Sequence, residues 1–327
     1  MRATTFEFIL IDDFSMMSVV TAIEPLRVAN RILGENRYEW VITHEAGNPP
    51  AASNGLSLPG GTYHRETPVP DYTFVCAGMH TNARDPDRLF ATLNRRARLG
   101  KVIGGVSLAA ALLARAGLLT GRRGVIHWEG LPAVIEEFPD IDISAGLFEI
   151  DGPIMTSCGG LATLDLFLAI LGSLHEDWLV GAVSNQLQIS RTRQGTDQQH
   201  MGAFRLPVTA PKSMHKAVAL IDQTIAEPLS PEALARAIGT SRRTLDRKFR
   251  THTGYPAAEF YLLRRLERAR NLLSYSNLPI VEVGLATGFR SASHFTTAFR
   301  QAYDITPKVC RQQAVDSIRS ARPDPIG

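Results

Sequence analysis

Cysteine is scarce. The chain has three in 327 residues, and Cys76, Cys158 and Cys310 lie far apart with no CxxC pair. This spacing excludes a disulfide framework and a cysteine-based zinc site. Nine histidines show no HxxxH or comparable ligand spacing, so neither a metal nor another cofactor is expected. No apolar run of about 18 residues is present to span a bilayer, and no membrane partner is expected. Met1–Leu10 contains Glu7 and lacks a basic segment before an apolar core. A cleaved leader is therefore not expected, and the expected location is the cytoplasm.

A large net charge is also missing: 35 Lys and Arg stand against 32 Asp and Glu. Their distribution is uneven. Residues 1–210 hold 17 basic against 22 acidic side chains, and residues 211–327 hold 18 against 10. The C-terminal piece is thus the one suited to a polyanion. Hydrophobic (44%) and charged (20%) fractions are ordinary for a folded protein, and the length favours two domains over one.

What is present in the first 175 residues is an alternation of β-like runs with helical patterns, the habit of an α/β domain with a largely parallel sheet. Phe6–Ile11, Thr73–Ala77 and Lys101–Val106 read as buried strands. Leu161–Leu174 and Trp178–Ile189 read as helices closing the domain. A polar stretch rich in Gly and Pro follows and reads as an exposed linker. The expected division is 1–190 for the first domain, 191–212 for the linker, 213–316 for an all-α second domain and 317–327 for a tail.

The second domain contains an internal repeat. Leu245, Phe249 and Arg250 recur as Phe295, Phe299 and Arg300, and each copy is followed by a turn ending in proline, at Pro256 and Pro307. In the first copy Ser230 suits an N-cap and Pro231 the first helical position. Gly239 can take the left-handed conformation that ends the helix, and Ser241 can cap the next. Leu245 and Phe249 hold that second helix to the core, leaving Arg242, Arg243, Asp246 and Arg247 outward. A short helix, a glycine turn and a basic outward helix make a helix-turn-helix (HTH) unit.

The second copy has its turn at Gly288 and presents Arg290, Ala292, Ser293, Thr296 and Thr297, a less basic surface. Pro256–Ser274 reads as a long spacer helix that could set the two reading helices about one DNA turn, roughly 34 Å, apart. Its Arg264, Arg265, Arg268 and Arg270 are expected to contact phosphates rather than bases.

Residues 225–312, with LSPEALARAIGTSRRTLDRKFRTHTGYPAAEFYLLRRLERARNLL and VEVGLATGFRSASHFTTAFRQAYDITP, resemble the AraC/XylS-type DNA-binding domain over its full length. The resemblance implies double-stranded DNA as partner, with Arg243, Asp246 and Arg247 at the contact positions of the first unit. Ala292, Ser293, Thr296 and Thr297 take the equivalent places in the second. The chain departs from the common pattern at Thr297, where many members carry arginine.

Lys101–Glu129 (KVIGGVSLAAALLARAGLLTGRRGVIHWE) reads as a strand, Gly-Gly, a small polar corner residue and an alanine-rich helix. Ser107 is at the corner, where a nucleophile elbow would expose its reactive side chain. The segment resembles the ThiJ/PfpI-like fold of class I glutamine amidotransferase-like proteins, which implies a flavodoxin-like α/β domain. In that family a cysteine commonly sits at the elbow with a glutamate and a histidine nearby; the matching positions are Ser107, Glu24 and His127. A serine hydroxyl needs a well-placed base where a thiol does not, so no catalytic residue is assigned.

The two domains in this order resemble the GlxA family of transcription regulators. FSMMSVVTAIEPLRVANRILGENRYEW, ASNGLSL and RTRQGTDQQHM are most similar to members controlling carnitine, glycine betaine and arginine catabolism. The resemblance implies a small amine, betaine or amino-acid effector in the former enzyme pocket. Glu24, Phe14 and Trp128 would face its cation, and Ser107 and His127 its carboxylate. The expectation is a sequence-specific, homodimeric regulator, read as an activator with repression left open, and with RNA polymerase a candidate further partner. Two rivals are an amidase or hydrolase using Ser107 with an attached DNA-binding domain, and a nucleoid-type protein without a ligand.

Overall fold

Along the first strand Phe6, Phe8 and Leu10 alternate with Glu7 and Ile9, and both sets are buried, the signature of a strand covered on two faces. A computed structural model describes residues 2–45, 47–63, 68–78, 83–175, 177–199, 206 and 210–320, with 315–320 as backbone alone. The chain divides into two compact units, Met1–Gln199 and His200–Gly327.

The first unit runs β1 (Thr4–Leu10), α1 (Met16–Leu33), β2 (Tyr38–His44), β3 (Gly61–Thr62), β4 (Tyr72–Ala77), α2 (Pro86–Arg98), β5 (Val102–Ser107) and α3 (Ala109–Arg115). It continues through β6 (Arg123–Val125), α4 (Leu131–Glu137), β7 (Asp142–Ser144), β8 (Phe148–Asp151), β9 (Ile154–Ser157), α5 (Leu161–Leu174) and α6 (Asp177–Gln186). The main sheet has the order β3-β2-β1-β4-β5-β9-β8 and is parallel except for the β8–β9 pair. Strands β6 and β7 form a separate parallel pair. The α/β class expected from the alternation is the observed one.

The aromatic face of β1 packs under α1 and α5, where Phe6, Phe8, Phe74 and Phe167 share one cluster. The opposite face carries a buried ion pair between Glu7 of β1 and Arg96 of α2. Thr43 donates to the same carboxylate at 2.9 Å, and Arg96 donates to the Thr73 hydroxyl at 2.9 Å. Satisfying every polar group is what makes such burial tolerable.

The segment expected to open the linker is packed instead. Arg193 donates to Asp165 from its backbone and from its guanidinium at 2.6–3.0 Å. Leu147 N–H donates to the Gly195 carbonyl at 2.8 Å, and Gln199 is buried. Polarity alone did not show that Arg193 and Gln199 of this stretch would be paired with the domain. The remainder of the expected linker, 200–205 and 207–209, and residues 321–327 of the expected tail lie outside the described residues.

The second unit holds helices and no strand among its described residues: α7 (Lys212–Gln223), α8 (Pro231–Ala237), α9 (Arg242–Thr253), α10 (Ala257–Tyr275), α11 (Ile280–Ala286), α12 (Ala292–Tyr303) and α13 (Pro307–Ser320). Two clusters form its core. Met214, Leu234, Leu245, Phe249 and Phe260 fill one, and Leu266, Leu272, Val283, Phe295 and Phe299 the other. Each encloses one copy of the repeat, with α10 contributing to both.

Candidate nucleic-acid interface and effector site

The first HTH unit is α8 and α9. Ser230 caps α8 by accepting from Ala233 N–H at 3.1 Å, and Ser241 caps α9 by accepting from Thr244 N–H at 3.2 Å. Between them Gly239 takes a φ of 72°. Leu245 and Phe249 are fully buried, so the helical period turns Arg243, Arg247 and Arg250 to the exposed side. Together with Arg242, Thr244, Asp246 and Thr251 they line a concavity of about 810 Å³. Arg250 and Thr251 were not singled out from sequence; α9 runs to Thr253.

Two residues expected to contact DNA are engaged within the domain. Arg242 pairs with Glu232 of α8 and lies 3.8 Å from Asp246. Asp246 accepts from Ala257 N–H at 3.0 Å, at the start of α10. In the second unit Ser291 caps α12 by accepting from His294 N–H at 3.2 Å. Arg290, Ala292, Ser293 and Thr297 are exposed, and Thr296 is half-buried.

The arginines of α10 correct an expectation. Arg264 is 11% exposed and pairs with Asp222 and Glu267, each at 2.8 Å. Arg265 lies over the Phe289 ring and Arg270 over Tyr303. Arg264 and Arg265 are spent on tertiary contacts rather than held out for phosphate. A helical wheel shows their spacing but not their partners.

In the first unit Ser107 ends β5 with a φ of 63°, a left-handed conformation unusual for a residue with a Cβ. The corner is shaped by Gly159, whose φ is 91°; a Cβ there would come 2.9 Å from the Ser107 Cβ and 3.1 Å from its Oγ. His127 N–H donates to the Ser107 carbonyl at 3.3 Å, so the strand corner and the His127–Trp128 pair are neighbours. Burial lowers the His127 pKa from its usual 6.5, and its Nδ1 lies 3.5 Å from a Glu129 carboxylate oxygen. Glu129 and Gly159 were not singled out from sequence.

Gln199 completes this edge. Its side-chain carbonyl accepts from Trp128 N–H at 2.8 Å, and its amide donates to the Ile126 and Gly146 carbonyls at 2.7 and 2.8 Å. The motif containing Gln199 was visible in the sequence, but no periodicity indicates a side chain that stitches three backbone groups.

Two expected effector contacts have partners within the fold. Phe14 is fully buried in the cluster beneath α1, packed as core rather than presented to a ligand. Glu24 forms a two-point pair with Arg27, at 2.9 and 2.7 Å, which lowers its pKa. Neither is brought against Ser107 by a contact of the described residues.

Residues 234–313 match the model of a helix-turn-helix domain. Over 322 residues the chain is 34% identical to the HTH-type transcriptional regulator CdhR of Pseudomonas aeruginosa, covering 98% of this chain and 95% of that protein. It is 37% identical over 309 residues to the HTH-type transcriptional regulator GlxA of Rhizobium meliloti, covering 94% of this chain and 95% of that one. A solved THiJ/PfpI family protein from Pseudomonas syringae shares the fold with a TM-score of 0.51 at 17% identity, covering 68% of this chain and 87% of that chain.

Proposed function

The chain belongs to the AraC-type family of HTH transcriptional regulators that includes CdhR and GlxA, and from that premise we propose that it responds to a small amine, betaine or amino-acid metabolite. It is a DNA-binding transcription regulator with an α/β unit of ThiJ/PfpI-like fold. The effector is held at the carboxyl edge of the sheet, where open α/β folds take their ligands. Ser107 and His127 meet its polar end, and Trp128 offers a ring to its cation.

The observation that carries this reading is the left-handed Ser107. A non-glycine residue at positive φ costs on the order of 1–3 kcal/mol and is kept where the corner serves a site. The Glu24–Arg27 pair holds the carboxylate ionised, which suits charge pairing with a cation rather than proton transfer to or from Ser107. Gln199, the last residue of the first unit, ties the Trp128 backbone to the chain leading to the HTH domain. Occupancy beside Trp128 therefore bears on that exit, and a differential effect on two arrangements is what regulation requires. The regulator acts as a cytoplasmic homodimer and as an activator, with RNA polymerase as a further partner.

The experiment is thermal unfolding of the full chain against betaines, carnitine derivatives and amino acids. A ligand at 100 times its Kd should stabilise by about 2.7 kcal/mol, and Ser107→Ala should reduce the effect. No stabilisation and unchanged DNA binding across the panel would sink the effector. Turnover that disappears in Ser107→Ala would favour a hydrolase instead.

A further inference from the structure

The loop from Thr224 to Ser230 leads from α7 into the first HTH unit and the turn Thr287–Phe289 lies within the second, and one face of α10 holds both. The Tyr261 hydroxyl donates to the Thr224 carbonyl at 2.8 Å and accepts from Leu229 N–H at 3.3 Å. Four residues on, and so on the same helical face, Arg265 Nε donates to the Thr287 carbonyl at 2.8 Å. The Arg265 guanidinium carbon stands 4.1 Å from the centroid of the Phe289 ring. Tyr261, Thr287 and Phe289 are buried, which shields these contacts from competing water.

The two held segments also touch. Gly288 sits at a φ of 77°, and a Cβ there would approach the Ile225 carbonyl oxygen and the Pro228 Cγ to 2.6 Å. The turn of the second unit therefore rests on the loop of the first, at a distance that no side chain at 288 would permit.

We propose that Tyr261 and Arg265 form a clamp that fixes the second HTH unit relative to the first, so that α9 and α12 meet DNA as one body. Arg265 is a positioning residue and touches no DNA. The proposal rests on the reading that both helices contact DNA. A stiff connection raises the effective concentration of the second contact once the first has formed. A flexible one would spend part of that gain on ordering the tether. Were Arg265 a phosphate contact instead, its removal would weaken every duplex alike.

The test uses the full chain, a duplex that it selects from a random pool, and the same duplex with the half contacted by the second unit scrambled. Arg265→Ala should bind the scrambled duplex within about twofold of the parent and the intact duplex about tenfold more weakly. Arg265→Lys, which keeps a cation over the ring and a donor for the carbonyl, should restore most of that loss. Gly288→Ala should give the same split without touching Arg265. Spin labels at Thr251→Cys and Gln301→Cys, both exposed positions, should report a narrow distance distribution without DNA and a broad one once Arg265→Ala is added. An unchanged distribution overturns the clamp, as does equal weakening on both duplexes. A parent chain that binds both duplexes equally overturns the two-helix reading instead, and the label distances then decide the clamp on their own.

Discussion

The Asp246 carboxylate accepts a hydrogen bond from the Ala257 N–H at 3.0 Å, tying the first recognition helix to the start of α10. Pro256 at the N-cap position of α10 supplies no side-chain cap, so Asp246 serves as the cap from a neighbouring helix. Asp246→Ala should cost about 1 kcal/mol in denaturant unfolding, and Asp246→Asn, which keeps an acceptor, should cost less. Equal stability of all three proteins would show that the cap contributes nothing.

Arg247 and Arg242 should differ in DNA binding although they share a helix. Both are exposed on the concave face, but Arg242 is already paired with Glu232. Arg247→Ala should weaken binding by about 1–3 kcal/mol or, for a phosphate contact, lower the salt slope by about one. Arg242→Ala should do less. Fluorescence anisotropy across a salt series separates the two, and a larger effect at Arg242 would contradict the assignment.

His127 gives a pH dependence with a defined sign. Burial lowers its folded-state pKa below 6.5, so the unfolded chain takes up the proton first as pH falls. The stability linked to this group is complete above pH 6.5 and is lost as pH descends from there through the folded pKa. The melting temperature of the parent should fall more steeply over that window than that of His127→Gln. Parallel curves would remove His127 as the cause.

Gln199→Leu would leave the Trp128 N–H and the Ile126 and Gly146 carbonyls without their side-chain partner. A loss of about 1–3 kcal/mol is expected for such a change. Gln199→Glu should not rescue it, because a carboxylate cannot donate to the two carbonyls. Hydrogen exchange at Trp128 N–H is the direct readout. Protection equal to that of the parent would mean that the backbone finds another partner.

The features legible in the sequence are those governed by local periodicity and backbone chemistry. Leu245 with Phe249 and Phe295 with Phe299, each pair four apart, marked the buried stripes of α9 and α12. Ser230, Ser241 and Gly239 marked the caps and the turn between them, because their side chains, or the lack of one, act on their own backbone. The strand, Gly-Gly and Ser107 corner was visible for the same reason.

Tertiary structure alone decided which polar residues were free. Asp246, Arg242, Arg264 and Arg265 look outward on a helical wheel, yet they meet Ala257, Glu232, Asp222 and Thr287 from other elements. Phe14 could as well have faced a ligand as the core, and Glu24 could have faced the elbow as well as Arg27. A side chain's rotation about its helix follows from the sequence through the 3.6-residue period. Its partner depends on which distant segment the packed fold brings within hydrogen-bonding reach, and no local pattern encodes that.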